Sequence, residues 1–139
     1  MEELRQMLIV AVGGAIGSVA RYRLSGWVLH QTVDWRFPLG TFVVNVLGCL
    51  MVGLLAGLAV KEDVFSNNAR LLLFTGLMGG FTTFSAFGLE TFYLLRRGDY
   101  WIACSNMVLS MAVGLLALFA GFQLIAHYAA ASAHTGTGA

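Results

Sequence analysis

The residues able to do chemistry in this chain are concentrated in nine positions, Gly79-Gly80-Phe81-Thr82-Thr83-Phe84-Ser85-Ala86-Phe87, inside a stretch from Leu71 to Leu89 that carries no charge. Thr41, Asn45, Asn106 and Ser110 are further polar residues standing alone in apolar surroundings. None of this set titrates near neutrality. Hydroxyl and amide donors of this kind replace the hydration of a small, hard anion, and the electropositive ring edges of Phe84 and Phe87 would supplement them. A channel needs binding strong enough to replace water yet weak and multi-site enough to release the ion. Phenylalanines in such a stretch ordinarily pack a core. Here they fall at i and i+3 with Ser85 between them, directly after a weak point in the helix, which favours one wall of a conduit.

Enzyme chemistry is poorly served. The three histidines, His30, His127 and His134, are peripheral, and no His/Cys/Asp/Glu spacing resembles a metal site. Cys49 and Cys104 sit in apolar segments and read as small buried hydrophobes. Glu90 is the sole carboxylate placed to carry protons, so the rival reading is a small proton-coupled exporter of the multidrug type using Glu90. A net charge of +1 gives no reason to expect nucleic acid as a partner.

The elements that position these groups follow from composition. The chain has 139 residues, 58% hydrophobic and 11% charged, where a soluble domain is about a quarter charged. Charges are absent from Gly40 to Val60 and from Tyr100 to Ala126 as well. Since roughly 20 apolar residues cross a bilayer core, the expectation is an all-α integral membrane protein. It has four helices, about 4–29, 40–60, 70–95 and 99–127, in a single membrane domain over residues 1–128, followed by a disordered tail over 129–139. The acidic start, Glu2-Glu3, argues against a cleaved signal peptide.

Helix 1 carries Gly13 and Gly17 at small-xxx-small spacing, which lets helices approach closely in lipid. Arg21 lies one turn further on the same face, so it is expected to be buried in a structural or anion-attracting role, whereas Arg23 snorkels to the interface. Asn45 cannot be left facing lipid, so it either bonds another helix or lines a pore, and Thr41 shares its face. In the third helix the paired glycines, paired threonines and serine weaken the helix, and a break is expected at Gly79–Ser85. Non-helical backbone at membrane depth is tolerated only inside protein or along a polar cavity, and such breaks mark ion sites. On helix 4, Asn106 and Ser110 make one polar stripe.

With four helices, the first side of the membrane carries Arg5, Lys61 and Arg70, and the other carries Arg23, Arg36, Arg96 and Arg97 once Arg21 is buried. This near absence of bias permits insertion both ways. One four-helix chain also lacks the surface to surround a conduit, so a dimer is expected.

Three motifs occur in order: Gly13-Gly14-x-x-Gly17-x-x-x-Arg21-Tyr22, Pro38-x-Gly40-Thr41-x-x-x-Asn45 and Gly79-Gly80-x-Thr82-Thr83-Phe84-Ser85-x-Phe87. With Ser110, they make the chain resemble the Fluc-type (CrcB-like) fluoride channels over Met7 to Gly121. The resemblance implies an antiparallel, dual-topology homodimer in the bacterial cell membrane, with two pores that export cytoplasmic fluoride passively. It implies that Phe84 and Phe87 are the paired ring-edge phenylalanines, that Asn45 is the pore asparagine and that Ser85 and Ser110 are hydroxyl donors. Thr41 and Thr83 belong to the same polar set. Arg21 matches the family's helix-1 arginine. The carbonyls of Gly79 and Thr82 would hold a structural sodium ion at the dimer axis. The chain departs from some relatives in having Asn106 where they have tyrosine, Gly114 and Leu118 where they have hydroxyls, and Ala86 where threonine is common.

Overall fold

The computed structural model describes residues 1–60 and 64–135, with side chains as far as Tyr128. Part of the expected polar connection Lys61–Arg70 and the last four residues of the tail lie outside them. Helix α1 spans Glu2–Gln31 and α2 spans Leu39–Ala59. The third span, Asn67–Arg96, is composite: α3 (Asn67–Arg70), a π-helical segment (Leu71–Met78), α4 (Gly79–Phe81) and α5 (Phe84–Arg96). Helix α6 runs from Tyr100 to Thr135. Among the described residues four helical stretches are therefore long and apolar enough to cross a membrane, and the protein is a multi-pass membrane protein. The last helix continues beyond the expected end at His127, so residues 129–135 of the expected disordered tail are helical.

Local chemistry sets the boundaries. Ser66 caps α3 by accepting from the Ala69 N–H at 3.2 Å. At the end of α5, Gly98 takes φ +81°. Its N–H donates to the Leu95 carbonyl while that of Asp99 reaches Leu94, which closes a Schellman motif. The short turn that results brings Asp99 to Arg36, 3.2 Å away, tying the turn between the last two spans to that between the first two.

The interior is built from close backbones more than from large side chains. Helix α1 packs on the π segment and α4, and α2 packs chiefly on α6. A Cβ on Gly13 would stand 2.7 Å from the Leu72 carbonyl oxygen, and one on Gly80 would stand 2.5 Å from that of Gly14. On the other side, a Cβ on Gly121 would meet the Leu50 carbonyl oxygen at 2.5 Å. In lipid no hydrophobic effect pulls helices together, so this interlocking of glycine faces supplies the packing.

The break is shorter than expected. Gly79 and Gly80 remain helical, and only Thr82 (φ −80°, ψ 154°) and Thr83 (φ −147°, ψ 108°) are extended. Gly80 serves close packing against α1, and Ser85 already lies in the first turn of α5. Breaking is left to the two threonines, whose groups find partners outside the helix ladder.

Candidate functional site: a broken span beside a polar cavity

Thr83 is held from both sides of its peptide. Its N–H donates to Asn45 Oδ1 at 2.9 Å and its carbonyl accepts from Asn45 Nδ2 at 3.1 Å. One asparagine side chain thus satisfies both backbone groups that the interruption would otherwise strand, which in an apolar setting would cost several kcal/mol per group. Of the two alternatives for Asn45, the bond to another span is present. The residue also borders the adjoining cavity, the second N–H of its amide without a partner among the described residues. Thr83 also caps α5, its Oγ1 accepting from the Ala86 N–H at 3.2 Å. Its own hydroxyl proton stays available, with Ser85 Oγ 3.4 Å away. The Thr82 hydroxyl donates to the Met78 carbonyl at 2.9 Å, closing the last turn of α4.

Beside the break lies a cavity of about 360 Å³. Asn45, Thr82, Thr83 and Ser110 supply its polar lining, and Phe84 and Phe87 its aromatic wall. The two rings stand 5.6 Å apart at 40°. Cys49, Val52, Met111 and Leu118 complete it with apolar surface, Leu118 standing where a hydroxyl would have extended the polar side. Of the expected pore residues, Asn45, Thr83, Phe84, Phe87 and Ser110 therefore come together. Ser85 does not line this cavity. Phe84 is 84% exposed, so the cavity has no wall of its own on that side.

Thr41 is placed elsewhere. It lines a second cavity of about 370 Å³ together with Arg21, Ser25, Thr83, Ala86 and Glu90. Thr83 therefore borders both spaces. The Thr41 hydroxyl donates to Glu90 Oε1 at 2.6 Å, while Glu90 Oε2 is buried with no hydrogen-bond partner among the described residues. Glu90 is therefore turned into the protein. Arg21 is directed inward as expected, its Nε donating to the Gly80 carbonyl at 3.1 Å, and the Ser18 hydroxyl reaches the same oxygen at 3.4 Å. A cation at the carboxyl end of α4 is favourably placed against the helix dipole. Arg23 is exposed.

The carbonyls expected to hold sodium are suited to that chemistry. In an unbroken helix the Thr83 N–H would bond the Gly79 carbonyl, but Asn45 takes that donor. Thr82 is extended, so its carbonyl has left the ladder too. Carbonyls that lose a helical donor at such a break can serve as ligands for small monovalent cations in membrane proteins.

Two participants were not legible as a pair. Thr91, one turn beyond Phe87, donates to the Phe87 carbonyl at 2.8 Å and accepts from Asn106 Nδ2 at 2.9 Å. The i, i+4 spacing of Phe87 and Thr91 was the available signal, and the Asn106–Ser110 stripe was its counterpart on α6.

These features define a membrane protein of four spans whose interrupted third span lines a cavity of neutral donors and aromatic rings. Its family is equally definite. A family model described as "CrcB-like protein, Camphor Resistance (CrcB)" matches residues 8–122, and the chain belongs to that family. The chain is 60% identical over 120 residues to a protein of Methylobacillus flagellatus named "Fluoride-specific ion channel FluC", covering 86% of this chain and 94% of that protein. Proteins of the same name from Rhizobium etli (44% identical over 120 residues, 86% of this chain and 95% of the relative) and Desulfotalea psychrophila (42% over 122 residues, 88% and 93%) are also similar to it.

Proposed function

We propose that the protein is a passive fluoride channel, residing as a multi-pass protein in the bacterial cell membrane and relieving the cell of cytoplasmic fluoride. The observation that carries this reading is the cavity at the break. Its polar lining includes the second amide N–H of Asn45, without a partner among the described residues, and the hydroxyls of Thr83 and Ser110, beside the paired rings of Phe84 and Phe87. Such a lining offers a dehydrated anion hydrogen bonds and ring edges without a fixed charge that would trap it. Relatives named for fluoride channels support the choice of ion.

The working unit we propose is an antiparallel homodimer with two pores. The exposed ring of Phe84 leaves the cavity open on one side, and a water-filled groove facing lipid would be unstable. A second copy supplies the missing wall, and the even Lys/Arg distribution allows that copy to be inverted. The carbonyls of Gly79 and Thr82 would hold a structural sodium ion, whose positive charge would fasten the two breaks across the axis.

The test is ion efflux from liposomes containing the purified protein, with fluoride and then chloride as the permeant ion. Rapid fluoride efflux without chloride efflux is expected, and Phe84→Ala should reduce it at least tenfold. Absence of fluoride efflux from correctly assembled protein would sink this reading. The exporter alternative keeps one observation in its favour, the buried carboxylate of Glu90. It requires that transport follow a proton gradient and that Glu90→Gln abolish the dependence.

A further inference from the structure

We propose that Asn106 sets how tightly the cavity holds its anion, by competing with that anion for the hydroxyl proton of Ser110. The inference rests on the fluoride reading above and concerns the α6 wall of the same cavity.

Four groups form a chain of hydrogen bonds running from the cavity into the protein. At its inner end is the Phe87 carbonyl, which can only accept. Thr91 Oγ1 lies 2.8 Å from it and donates its one proton there. Toward its other neighbour Thr91 can then only accept, and it takes the Asn106 amide N–H at 2.9 Å. This fixes which way round the Asn106 amide sits, because its nitrogen must face Thr91 and its oxygen must face α6 one turn on. That oxygen lies 3.3 Å from Ser110 Oγ and, being an acceptor, receives the Ser110 proton. The direction of every bond in the chain thus follows from the Phe87 carbonyl. Water does not disturb the order, since Asn106 is 1% exposed and Thr91 7%.

Of the three side chains in the relay, Thr91, Asn106 and Ser110, that of Ser110 alone borders the cavity. With its proton on Asn106, it turns a lone pair toward the space an anion would cross. To bind there, the anion must draw the hydroxyl round and break the bond to Asn106. At 3.3 Å this bond is longer than the roughly 2.7–2.8 Å usual between oxygens, so it can be exchanged. The anion therefore gains the difference between two hydrogen bonds instead of a whole one. That lowers its affinity at this wall and speeds its departure, as conduction requires. Asn106 acts through Ser110 and is a positioning residue, with Thr91 behind it holding the amide in register.

Fluoride efflux from liposomes, measured over a range of fluoride concentrations, tests this directly. Asn106→Leu frees the Ser110 proton and should lower the half-saturating fluoride concentration roughly 2- to 10-fold, the range corresponding to one net hydrogen bond. Thr91→Val should act in the same direction although Thr91 does not border the cavity. Once released, the amide can turn its nitrogen toward Ser110, which then accepts and keeps its proton for the anion. Either variant suffices if the other fails to assemble. In a Ser110→Ala background both substitutions should become silent, because no proton remains to compete for. Unchanged half-saturation in the single variants would overturn the proposal. So would shifts that persist with Ser110→Ala, since they would mark a packing effect. If the unaltered protein moves no fluoride, the channel reading fails first, and this is seen before any variant is compared.

Discussion

Asn45 carries more at the scale of the residue than its place in an apolar helix suggested. Asn45→Asp removes the donor to the Thr83 carbonyl and sets a negative charge where an anion should pass. We expect fluoride efflux to fall at least 100-fold, since a lost hydrogen bond and like-charge repulsion act together. Asn45→Leu removes the bonds without adding charge, and comparing the two efflux rates separates the contributions. At the second cavity, Thr41→Val deprives Glu90 Oε1 of its only described donor and leaves neither carboxylate oxygen with one. The expected outcome is a loss of about 1–3 kcal/mol in stability, read as a lower melting temperature in detergent. Glu90→Gln keeps an acceptor for Thr41, and its fluoride efflux should remain independent of any proton gradient. Residues that stand out by type were the legible ones: Asn45, Phe84, Phe87 and Ser110 announce themselves against an apolar background. Thr91 and Asn106 were not legible as partners, since their meaning lies in a contact between two helices. The pairing of Thr41 with Glu90, 49 positions apart in the chain, was hidden for the same reason.

The elements show why four spans and the neighbourhood of the break could be read from the sequence while the extent of the break could not. Uncharged runs of bilayer length leave little choice of spans. Glycines, however, carry two meanings that composition does not separate, weakness of the helix and closeness of a neighbour. At Gly80 closeness wins. Gly80→Ala would push a Cβ to 2.5 Å from the Gly14 carbonyl oxygen. Both atoms belong to packed backbone, so α1 must move, and we expect the yield of folded protein to drop several-fold on size-exclusion chromatography. The break depends instead on its caps. Thr83→Ala removes the acceptor for the Ala86 N–H, which should cost about 1 kcal/mol in the first turn of α5. Faster hydrogen exchange at Ala86 than in the unaltered protein would report it. The π segment lies directly against α1, and its wider turn, made by i→i+5 bonds, presents Leu72, Gly76 and Leu77 to the α1 glycines. No pattern of residue types in Leu71–Met78 distinguishes it from an ordinary helix, so this feature was not legible.

For the whole molecule, about half of the large apolar side chains of the spans are exposed, and few of them, Met78, Phe81 and Leu94 among them, are buried. Lipid covers much of that surface, and on our proposal a second, inverted copy covers the Phe84 side. Because four spans return the chain to the side it started from, two copies joined head to tail can only insert parallel. A tandem with one additional spanning helix in the linker should conduct fluoride, and the same tandem without it should not. Exchanging sodium for a large organic cation should shift the dimer toward monomer on native mass measurement, if Gly79 and Thr82 hold the ion as proposed.

Helix α6 is 36 residues long, about 54 Å at 1.5 Å per residue, against a hydrocarbon core of roughly 30 Å. It therefore stands out of the bilayer as a mast. In an inverted pair the masts rise from opposite faces. A fluorophore carried at the end of α6 would then be divided equally between inside and outside in every vesicle, however the protein was inserted. A membrane-impermeant quencher added outside should extinguish half the light and no more.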